Sequence, residues 1–222
     1  MCTRFYADID KELKPFIDEA RQASFAQQMM ISLSRPLTMS GEIRPTDIAA
    51  VIAPARNGRK AVFPMQWGFS INGLKNPIVN ARIESAAGKP AFRDSWYRRR
   101  CVIPASWYYE WQHFTMPDGR TRTGDKYAIQ PEGSAVTWLA GLYRFEETDG
   151  FRYPVFVVLT REPSGAVSGI HDRMPVILPQ SAVDGWIALD GNPDEIAKSA
   201  VTDLVPEKTQ TGSAGPGYSG MS

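Results

Sequence analysis

The spacing of apolar residues changes character along the chain. Over residues 8–31 (DIDKELKPFIDEARQASFAQQMMI) it is helical: Phe16, Ala20, Ala23 and Ala26 share one face, with Ile17 and Met30 beside it. Pro15 marks a start or a break in that helix. After a turn at Ser40-Gly41 the apolar runs shorten and turn residues separate them. A strand is expected over residues 48–52, a hairpin at Asn57-Gly58, and a second strand in AVFPMQWGFS that ends at Trp67-Gly68. NPIVNARIESA reads as an extended segment running into a helix start. CVIPASWYYEW reads as one strand and MPDGRTRTGDK as a turn-rich hairpin loop. KYAIQ, AVTWLAGLYRF, RYPVFVVLT and MPVIL read as further strands, rich in β-branched and aromatic residues. SAVDGWIAL and NPDEIAKSAV read as helices, the second with Asn192 as N-cap and Pro193 at the first helical position.

Many strands at short spacing with few helices predict a single α+β domain on a curved, mostly antiparallel sheet or barrel, with helices at its periphery. The length of 222 residues suits one domain. The expected boundaries are 1–206 for the domain and 207–222 for a flexible Gly/Ser-rich tail. A formal net charge of +1 supplies no global field toward nucleic acid or membrane, so a polyanion must be held by a local basic patch. No apolar run approaches the roughly 20 residues that cross a bilayer, and no signal peptide follows Met1. The expected location is cytoplasmic. The two cysteines read as free thiols in a reducing compartment, with Cys101 buried in the apolar run CVIP.

Cys2 raises a different question, because a chain terminus is a poor place to bury a thiol. With Met1 removed, Cys2 carries a thiol and a free α-amine on neighbouring carbons. Taken alone, position 2 carries little weight. In WYYEW, strand alternation puts Trp107, Tyr109 and Trp111 on one face and Tyr108 and Glu110 on the other. A carboxylate among aromatics has its pKa raised, which suits proton transfer; a Glu at the solvent end of a strand is the plain alternative. Of the two histidines, His113 is expected in an exposed loop. His171, in IHDRMP, is either a general acid/base or a loop residue capping a backbone group. Asn80 and Arg82 share one face of an extended VNAR, where they can orient and grip an anionic substrate or serve as a turn Asn and a surface Arg. RRR at 98–100 reads as a solvated basic strip. No cysteine or histidine spacing suits zinc, and no phosphate-loop or dinucleotide fingerprint occurs, so no metal or cofactor is expected.

The ordered set MC-x-RF, WGF, NPIVNARIES, RRRCVIPASWYYEW and GIHDRMPVIL resembles the SRAP family (SOS response-associated peptidase) from Cys2 to the helix at 181–189. The resemblance implies a barrel-like β core with a positively charged groove, probing single-stranded DNA for abasic sites and capturing them as a thiazolidine on the N-terminal cysteine. Motif by motif, it implies Cys2, Asn80, Glu110 and His171 as the reacting set. It implies Arg4, Arg82 and Arg173 as phosphate clamps, with Trp67 and Phe92 as stacking surface for unpaired bases. The expected partner is single-stranded DNA bound by a monomer associated with the nucleoid. Three positions depart from the family pattern: Thr3 replaces Gly, SGEIRP replaces Tyr-Asn-x-Ala-Pro, and Ala105-Ser106-Trp107 replaces an Asp-Gly before the aromatic pair. Glu42, within SGEIRP, is expected to repel phosphate. Two rivals use the same residues: a thiol peptidase or amidohydrolase with Cys2 as nucleophile and His171 as base, and a non-covalent single-strand-binding module.

Overall fold

The computed structural model describes residues 2–9, 12–116 and 118–209. The chain opens with β1 (Phe5–Ala7), α1 (Lys14–Arg21), α2 (Ala26–Ser32) and β2 (Gly41–Ile43). The single helix expected over 8–31 is therefore two. Pro15 lies in the first turn of α1, where a missing N–H costs nothing, and a turn over 22–25 separates the pair. β3 (Ile48–Pro54) and β4 (Lys60–Trp67) form the hairpin expected at Asn57-Gly58, with Gly58 at a φ of +77° that suits a residue without Cβ. β5 (Asn80–Arg82) runs directly into α3 (Ile83–Ala86), and α4 (Pro90–Arg98) follows. Next come β6 (Arg100–Ala105), β7 (Trp107–Thr115), β8 (Thr121–Pro131), β9 (Thr137–Thr148) and β10 (Phe151–Arg161). The chain continues with β11 (Met174–Pro175), β12 (Ile177–Leu178), α5 (Val183–Ile187), α6 (Pro193–Lys198) and β13 (Leu204–Lys208). Asn192 caps α6, its Oδ1 accepting from the N–H groups of Asp194 and Glu195.

Strands β10, β4, β3, β6 and β9 pair in sequence, and β9 pairs back with β10, so the five close into a barrel. Only β10 brings in parallel pairs, to β4 and to β5; the remaining pairings are antiparallel. The uninterrupted apolar run of β10 follows from its place in that barrel: residues 155–159 are fully buried. A second, antiparallel sheet in the order β13, β8, β7, β1, β2 lies beside it. The aromatic run CVIPASWYYEW, expected as one strand, crosses between the two sheets. Ser106 makes the corner, donating its N–H to the Tyr6 carbonyl while its Oγ accepts from the Asp8 N–H. β6 thus stays in the barrel and β7 leaves it.

Two further expectations change. Arg100, read as part of a solvated strip, is buried and donates to the carbonyls of Trp96, Tyr97, Trp186, Ala188 and Gly191. It ties α4 to α5 through backbone oxygens that would otherwise lack donors. At the other end of the chain, β13 runs to Lys208 and Thr209 donates to the Lys126 carbonyl, past the boundary drawn at 206. The rest of the expected tail, 210–222, lies outside the described residues. No helix among the described residues is long and apolar enough to cross a membrane.

Candidate active site

Cys2 is fully buried. The N-terminal segment passes between β5 of the barrel and β7 of the second sheet, and hydrogen bonds hold it on both sides. Asn80 Nδ2 donates to the Cys2 carbonyl at 2.7 Å. Tyr109 N–H donates to the Arg4 carbonyl at 2.9 Å, and the Cys2 thiol reaches the same oxygen at 3.8 Å. Burial drives the thiol pKa well above its ordinary value, and the nearby Glu110 carboxylate pushes the same way. The thiol is protonated at neutral pH.

The alternation expected in WYYEW is present. Trp107 and Tyr109 pack with Ala128, Tyr6 and Trp111 on the outer face of β7. Tyr108 and Glu110 point inward, both buried. Burial raises the Glu110 pKa. His171 follows the short 3₁₀ turn Gly165–Gly169, and its ring is brought to Glu110, with Nε2 3.9 Å from Oε1. The Arg173 N–H donates to His171 Nδ1 at 3.0 Å, which assigns the proton of the neutral ring to Nε2, on the Glu110 side. Asp172 Oδ1 stands 2.6 Å from Nδ1 and is placed to hold the ring once it is protonated. Burial lowers the His171 pKa to about 4. A carboxyl pushed up and an imidazole pushed down approach each other in proton affinity, the condition for easy proton exchange.

His113 was expected in an exposed loop. It is exposed, yet it lies on β7, with its ring centroid 4.5 Å from that of His171. A register shift in β7 between Trp111 and His113 breaks the alternation and turns it there, and its N–H donates to the Ile170 carbonyl. Nothing in the sequence signals that bulge.

The expected DNA contacts divide. Arg82 is exposed at the end of β5. Arg4 is half-buried and bound to Glu42 at 3.1 Å. Arg44 and Lys126 join the same carboxylate at 3.0 and 2.9 Å, so three cations converge on one anion and the cluster stays positive. Burial works to raise the Glu42 pKa, but Lys126, Arg4 and Arg44 outweigh it and hold the carboxyl below its ordinary value. Lys126 Nζ also lies 3.6 Å from the centre of the Tyr109 ring. Arg173 does not serve as a clamp. It is buried, bidentate to Glu84 at 3.0 and 2.9 Å, and donates to the Thr160 carbonyl. It braces the loop that carries His171. Trp67 and Phe92 offer no stacking face. The indole of Trp67 is fully buried between Phe5 and Phe156, with Nε1 donating to the Val79 carbonyl. Phe92 is buried against Phe69.

Comparison with known proteins adds to this geometry. The chain is 32% identical over 160 residues to the abasic site processing protein YoaM of Bacillus subtilis, covering 66% of this chain and 67% of YoaM. It is 35% identical over 147 residues to YobE of the same organism, covering 64% of each. It is 26% identical over 164 residues to HMCES of Rattus norvegicus, covering 60% of this chain and 46% of that protein. The matched segments thus span about two thirds of the bacterial relatives and under half of the rat protein. A crystal structure of a protein from Bacteroides thetaiotaomicron superposes with a TM-score of 0.70 at 18% identity, covering 94% of this chain and 92% of that one. One from Bordetella bronchiseptica gives 0.68 at 20% identity, covering 95% and 100%. These structures show the same fold. A family profile for SOS response associated peptidase (SRAP) matches residues 1–212, and the chain belongs to that family.

Proposed function

We propose that this protein captures abasic sites in single-stranded DNA by a thiazolidine linkage to Cys2, once Met1 is removed. The convergence of Asn80, Glu110 and His171 on the N-terminal segment carries the reading. The name shared by its relatives, abasic site processing protein, supports the substrate.

The state of the thiol orders the steps. A buried, protonated thiol is a poor first nucleophile. An α-amine titrates near about 7.7–8.0, so a useful fraction is neutral at physiological pH. The amine adds to the aldehyde carbon of the ring-opened sugar, and loss of one water gives an imine. The thiol sulfur then adds to the same carbon while its proton passes to the imine nitrogen. One C–N and one C–S bond form, and the C=O bond is lost as water. The second addition is intramolecular, where effective molarities of roughly 10⁵ M or more are known for well-oriented groups.

Glu110 and His171 move the protons. His171, neutral at physiological pH, assists sugar-ring opening and takes the proton released by the amine; Glu110 returns one to the departing water. Asn80 holds the Cys2 carbonyl and so fixes where the amine points. Arg82 and the Arg4–Arg44–Lys126 cluster take phosphates beside the lesion, with Glu42 tempering the attraction. The same protonated thiol weighs against a thiolate peptidase, since no Cys–His ion pair is formed.

The experiment is a denaturing gel with a single-stranded oligonucleotide carrying one abasic site, an undamaged control, and the Cys2→Ala variant. A heat-stable band specific to the abasic strand and absent from the variant is expected. Its absence with wild-type protein shown by mass to lack Met1 sinks the reading.

A further inference from the structure

Two buried polar atoms beside Cys2 have no hydrogen-bond partner among the described residues: Asn80 Oδ1 and the Tyr108 hydroxyl. Orphans of this kind are uncommon in folded proteins and call for an explanation. The orientation of Asn80 is fixed, because its Nδ2 is committed to the Cys2 carbonyl. Oδ1 is therefore an acceptor in search of a donor. Tyr108 is fully buried on the inward face of β7, two residues before Glu110 and paired with Phe5 of β1. Its phenol feels the charges of both Cys2 and Glu110. Burial drives its pKa well up, so the phenol keeps its proton and remains a donor. One orphan acceptor and one orphan donor thus flank the residue that is to receive the aldehyde.

A hydroxyl group satisfies both at once, donating to Asn80 and accepting from Tyr108. Opening of an abasic deoxyribose ring creates one such group. The carbon that shared the ring oxygen with the aldehyde carbon keeps that oxygen as a hydroxyl, while the other sugar oxygens remain esterified to phosphate. We propose that Tyr108 and Asn80 form a recognition site for this freed sugar hydroxyl, with Tyr108 a specificity-determining residue. The site selects an opened sugar over other aldehydes. The inference rests on the proposed capture of abasic sites.

The test measures wild type and Tyr108→Phe in two reactions. One is covalent capture of an abasic oligonucleotide. The other is thiazolidine formation with propanal, an aldehyde without a hydroxyl. Tyr108→Phe removes the hydroxyl alone and fills the same space. The capture rate on the abasic strand is expected to fall roughly fivefold, the scale of one neutral hydrogen bond. The propanal rate should hold, and the melting temperature should be unchanged or raised, because a buried unpartnered group is removed. Equal rates for the two proteins on the abasic strand overturn the inference. So does equal slowing on both aldehydes with a lowered melting temperature, which assigns the hydroxyl to structure. A wild type that captures no abasic strand overturns the proposed function and this inference with it. One that captures it no faster than Tyr108→Phe overturns this inference alone.

Discussion

The two cysteines share every simple property and differ in their surroundings. Both are fully buried, both are free thiols, and burial raises both pKa values. Cys101 sits on β6 opposite Gly141 of β9, in barrel packing so close that a Cβ on Gly141 would come within 3.0 Å of its sulfur. Burial alone sets its pKa. Around Cys2 stand an amide, a carboxylic acid, an imidazole and a phenol, all in or near contact with a segment only two residues from the chain end. A thiol made inert by burial is put to use where a neighbouring amine can do the first step and proton carriers can do the second. Exposure and thiol acidity, the usual marks of a reactive cysteine, distinguish neither one.

The largest expected effect removes the feature that Cys101 lacks. Cys2→Ala still permits removal of Met1 and leaves a free α-amine, but no thiazolidine can close. The denaturant-stable adduct should vanish, while borohydride should still trap an imine between the variant and the abasic strand. Loss of the trapped imine as well would show that the thiol, not the amine, attacks first, and would break the comparison at its base.

Next in size is His171→Asn, expected to slow capture about 100-fold, the lower range of general acid–base catalysis. The same residue gives a stability signature. Its folded pKa, about 4, lies below the unfolded value of 6.5, so the unfolded chain binds the proton first. The stability contributed by the neutral, buried ring is complete above 6.5 and is lost as pH falls from there toward 4. Melting temperatures of the wild type should drop across that window more steeply than those of His171→Asn. Parallel curves would mean the ring is not held neutral by burial.

What was legible in the sequence follows the reach of each signal. The inward turn of Tyr108 and Glu110 comes from alternation within one strand, and the Asn57-Gly58 hairpin and Asn192 cap from contacts a few residues apart. The order of motifs placed Cys2, Asn80, Glu110 and His171 before any geometry was known. Failures occurred where long-range packing decides. Arg100 and Arg173 read as surface cations, but one meets backbone carbonyls of α5 and the other Glu84 across the fold. Trp67 and Phe92 read as stacking surface, yet closure of the barrel and the packing of α4 bury them. Glu42 read as a repellent charge because its three cations come from β1, β8 and the chain after β2, two of them remote in sequence. The bulge that sends His113 to His171 leaves no mark in residue type.

The smallest expected effect belongs to the other cysteine. Cys101→Ala deletes a sulfur from close-packed barrel interior, next to a glycine that cannot fill the space. A loss of about 1 kcal/mol in unfolding free energy is expected, read from denaturant melts. Adduct formation, which uses nothing at this end of β6, should stay within about twofold of wild type, a range set by small structural coupling alone. The two readouts oppose those of Cys2→Ala, which removes the adduct whatever it does to the melt. A Cys101→Ala protein that folds as stably as wild type but captures abasic DNA poorly would mean the two thiols are coupled through the barrel. The reactivity of Cys2 would then depend on the core, not only on the polar groups around it.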